Sequence, residues 1–76
     1  MVRAFIMVKT SAGKSADLQE SLTDIEGVQE AHVVAGQYDI IAEAEGGEVY
    51  DVIHGVATEA RNLDGVVDTR TYICLE

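Results

Sequence analysis

The chain has 76 residues, of which 14 are Asp or Glu and five are Lys or Arg, so its formal charge is −9. Its length and its 47% apolar content predict one small globular domain over residues 1–76. The scattered basic residues argue against direct nucleic-acid binding, and the single cysteine, Cys74, excludes an internal disulfide.

The first two predicted elements are a strand and a helix. Residues 2–10 alternate between an apolar set and a mixed set, which predicts a strand with one buried face. Leu18, Leu22 and Ile25 recur at helical spacing and predict a helix over residues 15–25. We expect Ser15 to cap this helix and Gly27 to terminate it.

The next elements are two strands and a second helix. Residues 28–35 and 38–45 predict strands, and the short Gly36-Gln37 connection predicts an antiparallel hairpin. A helix is predicted over residues 48–63, with Gly55 marking close packing. Its apolar stripe consists of Val49, Val52, Ile53, Val56, Ala60 and Leu63. Residues 66–75 predict the last strand.

This β-α-β-β-α-β order predicts an α+β, ferredoxin-like fold, a four-stranded antiparallel sheet with both helices on one face. The uncovered face is expected to carry Arg3, Phe5, Met7, Lys9, His32, Val34, Arg70, Tyr72 and Cys74. Because this face is too apolar for an ordinary solvated surface, we expect a homo-oligomer in which two sheets pack together. A monomer with a partly apolar sheet is the alternative.

No catalytic, metal or cofactor site is predicted. Cys74 lies in a strand and is expected to be an inert thiol. His32 and His54 lack zinc-ligand spacing, although His32 beside Glu30 could act as a pH switch instead of a plain interface residue. Gly13-Lys14-Ser15 ends like a phosphate loop but lacks its upstream glycine. We therefore expect a protein that is not an enzyme.

The segment Gly36, Gln37, Tyr38, Asp39 carries the best candidate ligand site. Backbone N–H groups there suit the carboxylate of a small zwitterion, and Asp39 suits its ammonium. The structural alternative is that Gly36 provides a turn, Tyr38 packs and Asp39 caps local N–H groups.

The acidity of the chain has two explanations. A solvated surface is the simpler one, and adaptation to a salt-rich cell interior is the other, because salt screens self-repulsion. No apolar run approaches the roughly 20 residues that span a bilayer, and no signal peptide is readable. We expect a soluble, cytoplasmic protein without a membrane partner.

Two segments give the sequence a family resemblance. Residues 28–41, with Gly36, Tyr38 and Asp39, resemble the Gly-x-Tyr-Asp signature of the effector domain of Lrp/AsnC (leucine-responsive/asparagine-responsive) regulators. Residues 67–73, with Thr69 and Thr71, resemble that domain's closing strand. The resemblance covers nearly all of residues 1–76.

The resemblance implies a dimeric α/β barrel, further assembly into larger oligomers, and binding of amino acids between dimers. By position it implies effector contacts at Gly36, Gln37, Tyr38 and Asp39, and more weakly at Thr71 and Tyr72. Full-length members carry a helix-turn-helix before this domain. Because the chain starts with Met at the first strand, we expect a stand-alone form that regulates amino-acid metabolism or co-assembles with full-length regulators. A pure assembly module and a small dimeric α/β-barrel enzyme are the alternatives.

Overall fold

The computed structural model describes residues 1–75 and arranges them in the predicted order of elements. The strands are β1 (Val2–Thr10), β2 (Val28–Val33), β3 (Ile40–Gly46) and β4 (Val66–Ile73). The first helix, α1, spans Ser15–Thr23. The second helix, α2 (residues 49–61), has an α-helical start at Val49–Asp51, a π-helical turn at Val52–Val56 and an α-helical end at Ala57–Arg61.

The four strands form one antiparallel sheet in the order β2-β3-β1-β4. In the register, Ile6 lies opposite both Ala42 on β3 and Thr71 on β4, and Phe5 lies opposite both Glu43 and Tyr72. This order places β1 and β3 in the centre and leaves β2 and β4 as edges. The ferredoxin-like α+β fold is therefore confirmed.

The core lies between the sheet and the two helices, on one face of the sheet. Alternate residues of β1, such as Ile6 and Val8, are fully buried, as the period of a strand requires. The same cluster contains Leu18 and Leu22 from α1 and Val56 from α2, so both helices cover this face.

The helix α1 begins at Ser15 as predicted, but the expected cap at Ser15 and the expected end at residue 25 are wrong. Its N-cap residue is Lys14, which makes no side-chain capping bond, and Ser15 is the first helical residue. The Ser15 hydroxyl instead lies 3.1 Å from the Thr10 hydroxyl at the end of β1. At the other end the helix stops at Thr23, and Gly27 lies in the turn beyond it with φ +100°.

The π-helical turn of α2 overturns two expectations about that helix. The backbone N–H of Ala57 donates to the carbonyl of Val52, five residues earlier, and so adds one residue to the turn. This rotates Val49 and Ile53 out of the core, where they are 44% and 41% exposed. Gly55 has open space beside it, so the expected close packing there is wrong.

The second helix is shorter than the predicted 48–63, but its end charges lie where the sequence placed them. Glu48 precedes the helix in an extended conformation, and its N–H donates to the Asp51 carboxylate at 3.1 Å. Arg61 lies in the last turn, where a positive charge interacts favourably with the helix dipole.

The connection between β2 and β3 is longer than predicted. β2 ends at Val33 and β3 begins at Ile40, so residues 34–39 form a six-residue loop where a two-residue turn was expected. The strands are still antiparallel neighbours, with Val33 opposite Ile40. Val34 and Tyr38, assigned to strands from the sequence, therefore belong to this loop.

Candidate functional site

The tip of the loop 34–39 is open to solvent. Gly36 and Gln37 are exposed, and a Cβ at Gly36 would meet no atom within 4 Å. Within residues 1–75, the backbone N–H groups of Gly36, Gln37 and Tyr38 donate no hydrogen bond. Such free N–H groups can bind the carboxylate of a small ligand. Gly36 lies in the loop without a positive φ.

The base of the loop is firmly attached to β1. The N–H of Asp39 donates to the Val8 carbonyl at 2.9 Å, and the N–H of Val34 donates to the Asp39 carbonyl at 2.8 Å. The Lys9 ammonium contacts the Gln37 carbonyl at 3.4 Å. Tyr38 and Asp39 are half-buried. The loop therefore has a base that hydrogen bonds hold in place and a tip that is open to solvent.

The Asp39 carboxylate does not cap a local N–H group. Its Oδ2 accepts hydrogen bonds from the N–H of Thr10 at 2.8 Å and from the Thr10 hydroxyl at 3.3 Å. Thr10 precedes Asp39 by 29 residues, so the sequence offered no local signal for this contact. One of the two carboxylate oxygens is thus engaged within the chain.

Thr71 and Tyr72 do not reach the loop in one chain. They lie opposite Ile6 and Phe5 on β4, whereas the loop contacts β1 near Val8 and Thr10. At strand spacings of about 4.8 Å and rises of about 3.3 Å per residue, they are roughly 10–15 Å from the base of the loop. Their alternate positions also place them on opposite faces, Thr71 on the helix side and Tyr72 on the uncovered side.

The uncovered face of the sheet, called here the open face, has an apolar centre. Phe5 and Met7 on β1 lie there half-buried, and Tyr72 is 59% exposed. The register adds three residues from β3 that the sequence analysis did not assign to this face: Ile41 opposite Met7, Glu43 opposite Phe5 and Glu45 opposite Arg3. The signal for them was the alternation along β3, where Ala42 and Ala44 lie on the other face.

Charged residues surround the apolar centre of the open face. The His32 ring lies 3.4 Å from the Glu30 carboxylate, and both side chains are more than 60% exposed. Glu30 lies opposite Glu43, and Arg70 lies opposite Met7. Cys74 is half-buried beyond the end of β4, where its N–H donates to the Arg3 carbonyl at 2.9 Å.

Within residues 1–75 no three His, Cys, Asp or Glu side chains lie close enough together to hold a metal ion. None of the helices in this range has the length and apolar character needed to cross a membrane.

The chain combines an antiparallel sheet of β-α-β-β-α-β order with a Gly-x-Tyr-Asp loop between its second and third strands, which places it in a class of small α+β domains. A sequence model of the family described as Lrp/AsnC ligand binding domain matches residues 3–76. The chain belongs to this family.

Solved structures of similar length have the same fold. The hypothetical protein PHS023 from Pyrococcus horikoshii is 34% identical, with a TM-score of 0.89 over 100% of this chain and 92% of that one. The structure named FFRP-DM1 is 35% identical, with a TM-score of 0.90 over 99% and 100% of the two chains.

A longer protein contains the same fold. The transcriptional regulator NMB0573 from Neisseria meningitidis, solved as a complex with L-Met, is 22% identical with a TM-score of 0.81. The match covers 99% of this chain and 50% of the regulator, so the chain spans about half of that protein. A comparison with curated proteins finds no significant match.

Proposed function

We propose that this chain is a non-enzymatic effector domain that senses an amino acid or a related small metabolite. The effector binds at the tip of the loop 34–39, and the response regulates amino-acid metabolism through self-assembly and co-assembly with full-length Lrp/AsnC regulators. The observation that carries the proposal is the membership in a ligand-binding domain family, combined with a loop that carries the family signature. The complex of NMB0573 with L-Met provides a precedent for the ligand class.

The geometry of the loop supports the chemistry of an amino acid ligand. The unpaired N–H groups at Gly36, Gln37 and Tyr38 suit the carboxylate, and the second oxygen of Asp39 could accept from the ammonium. Thr71 and Tyr72 lie too far from this loop to join it in one chain. If they contact the effector, the site must combine residues from different copies, as the resemblance implies.

The open face supports self-association. Phe5, Met7, Ile41 and Tyr72 form an apolar centre that water does not solvate well, and a second copy of the chain would bury it. A chain of 76 residues buries only about 60–65% of its unfolded surface by itself, so it gains much from such an interface.

The proposal predicts that one or a few amino acids stabilise the protein. A ligand at about 100 times its Kd adds about 2.7 kcal/mol to the free energy of unfolding. For a domain of this size, that corresponds to a rise in Tm of roughly 10 °C or more. The measurement is thermal unfolding with each of the twenty standard amino acids at millimolar concentration.

The variant Gly36→Val provides the matched test of the site. Its side chain would enter open space, so the fold should be kept while the approach of a ligand to the loop backbone is blocked. We expect Gly36→Val to lose the thermal shift and Gly55→Ala, also in open space, to keep it. If no amino acid raises the Tm of the unmodified protein, the sensing proposal is wrong.

A pure assembly module is the second candidate function, and the open face favours it. In that case the chain would associate with itself or with larger regulators of the family without binding an effector. Native mass spectrometry of the chain mixed with a full-length relative would show mixed oligomers. If only separate species form while amino acids still shift the Tm, co-assembly is wrong and sensing stands.

A further inference from the structure

The carboxylate of Asp39 joins the loop 34–39 to a residue far away in the sequence. Its Oδ2 accepts from both the N–H and the hydroxyl of Thr10, at 2.8 Å and 3.3 Å. Thr10 is the last residue of β1. Because the carboxylate is half-buried and ionised carboxylates form strong hydrogen bonds, this contact holds the base of the loop against the end of β1.

A second hydrogen bond continues from Thr10 to the first helix. The Thr10 hydroxyl lies 3.1 Å from the hydroxyl of Ser15, the first residue of α1. A hydroxyl has one proton to donate, and that of Thr10 points to Asp39. Ser15 must therefore donate to Thr10, which gives a directed chain from Ser15 through Thr10 to Asp39.

The backbone of Asp39 completes the attachment. Its N–H bonds to Val8 and its carbonyl accepts from Val34, so Asp39 connects both ends of the loop to β1. The residues between them at the tip have free N–H groups. A ligand that moves the tip must therefore act on a loop whose base is fixed at one residue.

We propose that Asp39 is a positioning residue that sets the conformation of the loop through Thr10 and transmits its state through Ser15 to the first turn of α1. This deepens the proposed function and rests on it for the identity of the signal. An effector that shifts the loop tip alters the bond between Asp39 and Thr10. That change reaches the turn closed by the N–H of Leu18 and the carbonyl of Lys14.

The test is amide hydrogen exchange of the ligand-free protein and of its variants. Asp39→Asn should lower protection about tenfold at the Thr10 amide and at the Leu18 amide in the first turn of α1, since it weakens the charge-assisted bonds to Thr10. Thr10→Val removes the hydroxyl but keeps the Thr10 N–H, so it should lower protection about tenfold at Leu18 only. Thr10→Ser keeps the hydroxyl and should retain the protection. Glu59→Gln, which neutralises an exposed carboxylate on α2, is the control and should change neither region.

A double-mutant cycle separates this role from direct ligand contact. If Asp39 acts through Thr10, the double variant Asp39→Asn/Thr10→Val loses no more protection than the more affected single variant. If the two effects on α1 multiply, or if Asp39→Asn leaves α1 as protected as Glu59→Gln does, the proposal is wrong. Ser15→Ala should lower protection in α1 while leaving the Thr10 amide protected.

Effector binding adds an independent arm. For any amino acid that raises the Tm of the unmodified protein, Thr10→Val should weaken binding, and Asp39→Asn should weaken it further, because it also neutralises the oxygen proposed to face the ammonium. Full binding in Thr10→Val would show that Thr10 does not position Asp39 and would overturn the positioning role. If no amino acid binds, the proposed function fails, and the exchange data alone decide the role of Asp39.

Discussion

The variant Met7→Glu is expected to convert an assembled protein into folded 8.2-kDa monomers. Met7 lies in the apolar centre of the open face, between Ile41 and Arg70 in the register. In a free chain the new carboxylate would be solvated and could pair with Arg70 across the strands. In a face-to-face dimer two such carboxylates would be buried, at a cost of several kcal/mol.

This cost should weaken self-association at least 100-fold, because each 1.4 kcal/mol changes an association constant about tenfold. Sedimentation velocity at micromolar concentration would measure it, with circular dichroism to show that the fold is kept. Tyr50→Glu is the control, since Tyr50 is an exposed aromatic residue on α2, in the helical layer. The interface proposal fails if Met7→Glu assembles like the unmodified protein, or if the unmodified protein is itself monomeric.

The main features of the fold could be predicted from the sequence because the apolar pattern is regular where the sheet is formed. Ala4, Ile6 and Val8 alternate strictly, and each is fully buried. Strict alternation places a strand residue on one face or the other without knowledge of its neighbours. The same rule predicted Phe5, Met7 and Tyr72 on the open face. Ile41 was missed because β3 was not divided into its two faces.

The second helix shows where the pattern was insufficient. A helix with 3.6 residues per turn would place Val49, Val52, Ile53 and Val56 on one apolar stripe. The π-helical turn has a longer period, so only Val52 and Val56 of this group are buried. Nothing in a single apolar pattern distinguishes the two periods over five residues. Packing against the rest of the core decides between them.

The sequence predicted which residues form the candidate site, but it did not predict the contacts that hold them in place. The sequence identified Gly36, Tyr38 and Asp39 because a glycine, an aromatic ring and a carboxylate adjoin there. The extent of the loop and the contact between Asp39 and Thr10 depend on strand pairing 29 residues apart. Contacts between distant residues depend on the sheet topology, which the local sequence does not show. The sequence analysis therefore paired the Asp39 carboxylate with a ligand ammonium, although its Oδ2 already accepts from Thr10.

A substitution at the turn between α1 and β2 should have the largest effect on stability. Gly27 has φ +100°, and its carbonyl accepts from the N–H of Glu45 at 2.8 Å, which joins the turn to β3. A Cβ at this position would lie 2.6 Å from Val56 Cγ2 and 3.1 Å from the Glu45 carbonyl oxygen. Val56 is buried in the core, so neither neighbour can move away easily.

We expect Gly27→Ala to lower the free energy of unfolding by roughly 2–4 kcal/mol, from overpacking and from the cost of a positive φ. Gly13→Ala measures the cost of a positive φ alone, because Gly13 has φ +79° and a Cβ there would meet no atom within 4 Å. Its loss should be about 1–2 kcal/mol. Urea unfolding of both variants at one protein concentration gives the comparison.

The double variant Gly27→Ala/Val56→Ala removes the clash. Its loss in the free energy of unfolding should therefore be smaller than the sum of the losses in the two single variants. Equal losses in Gly27→Ala and Gly13→Ala would show that the contact with Val56 does not restrict the turn.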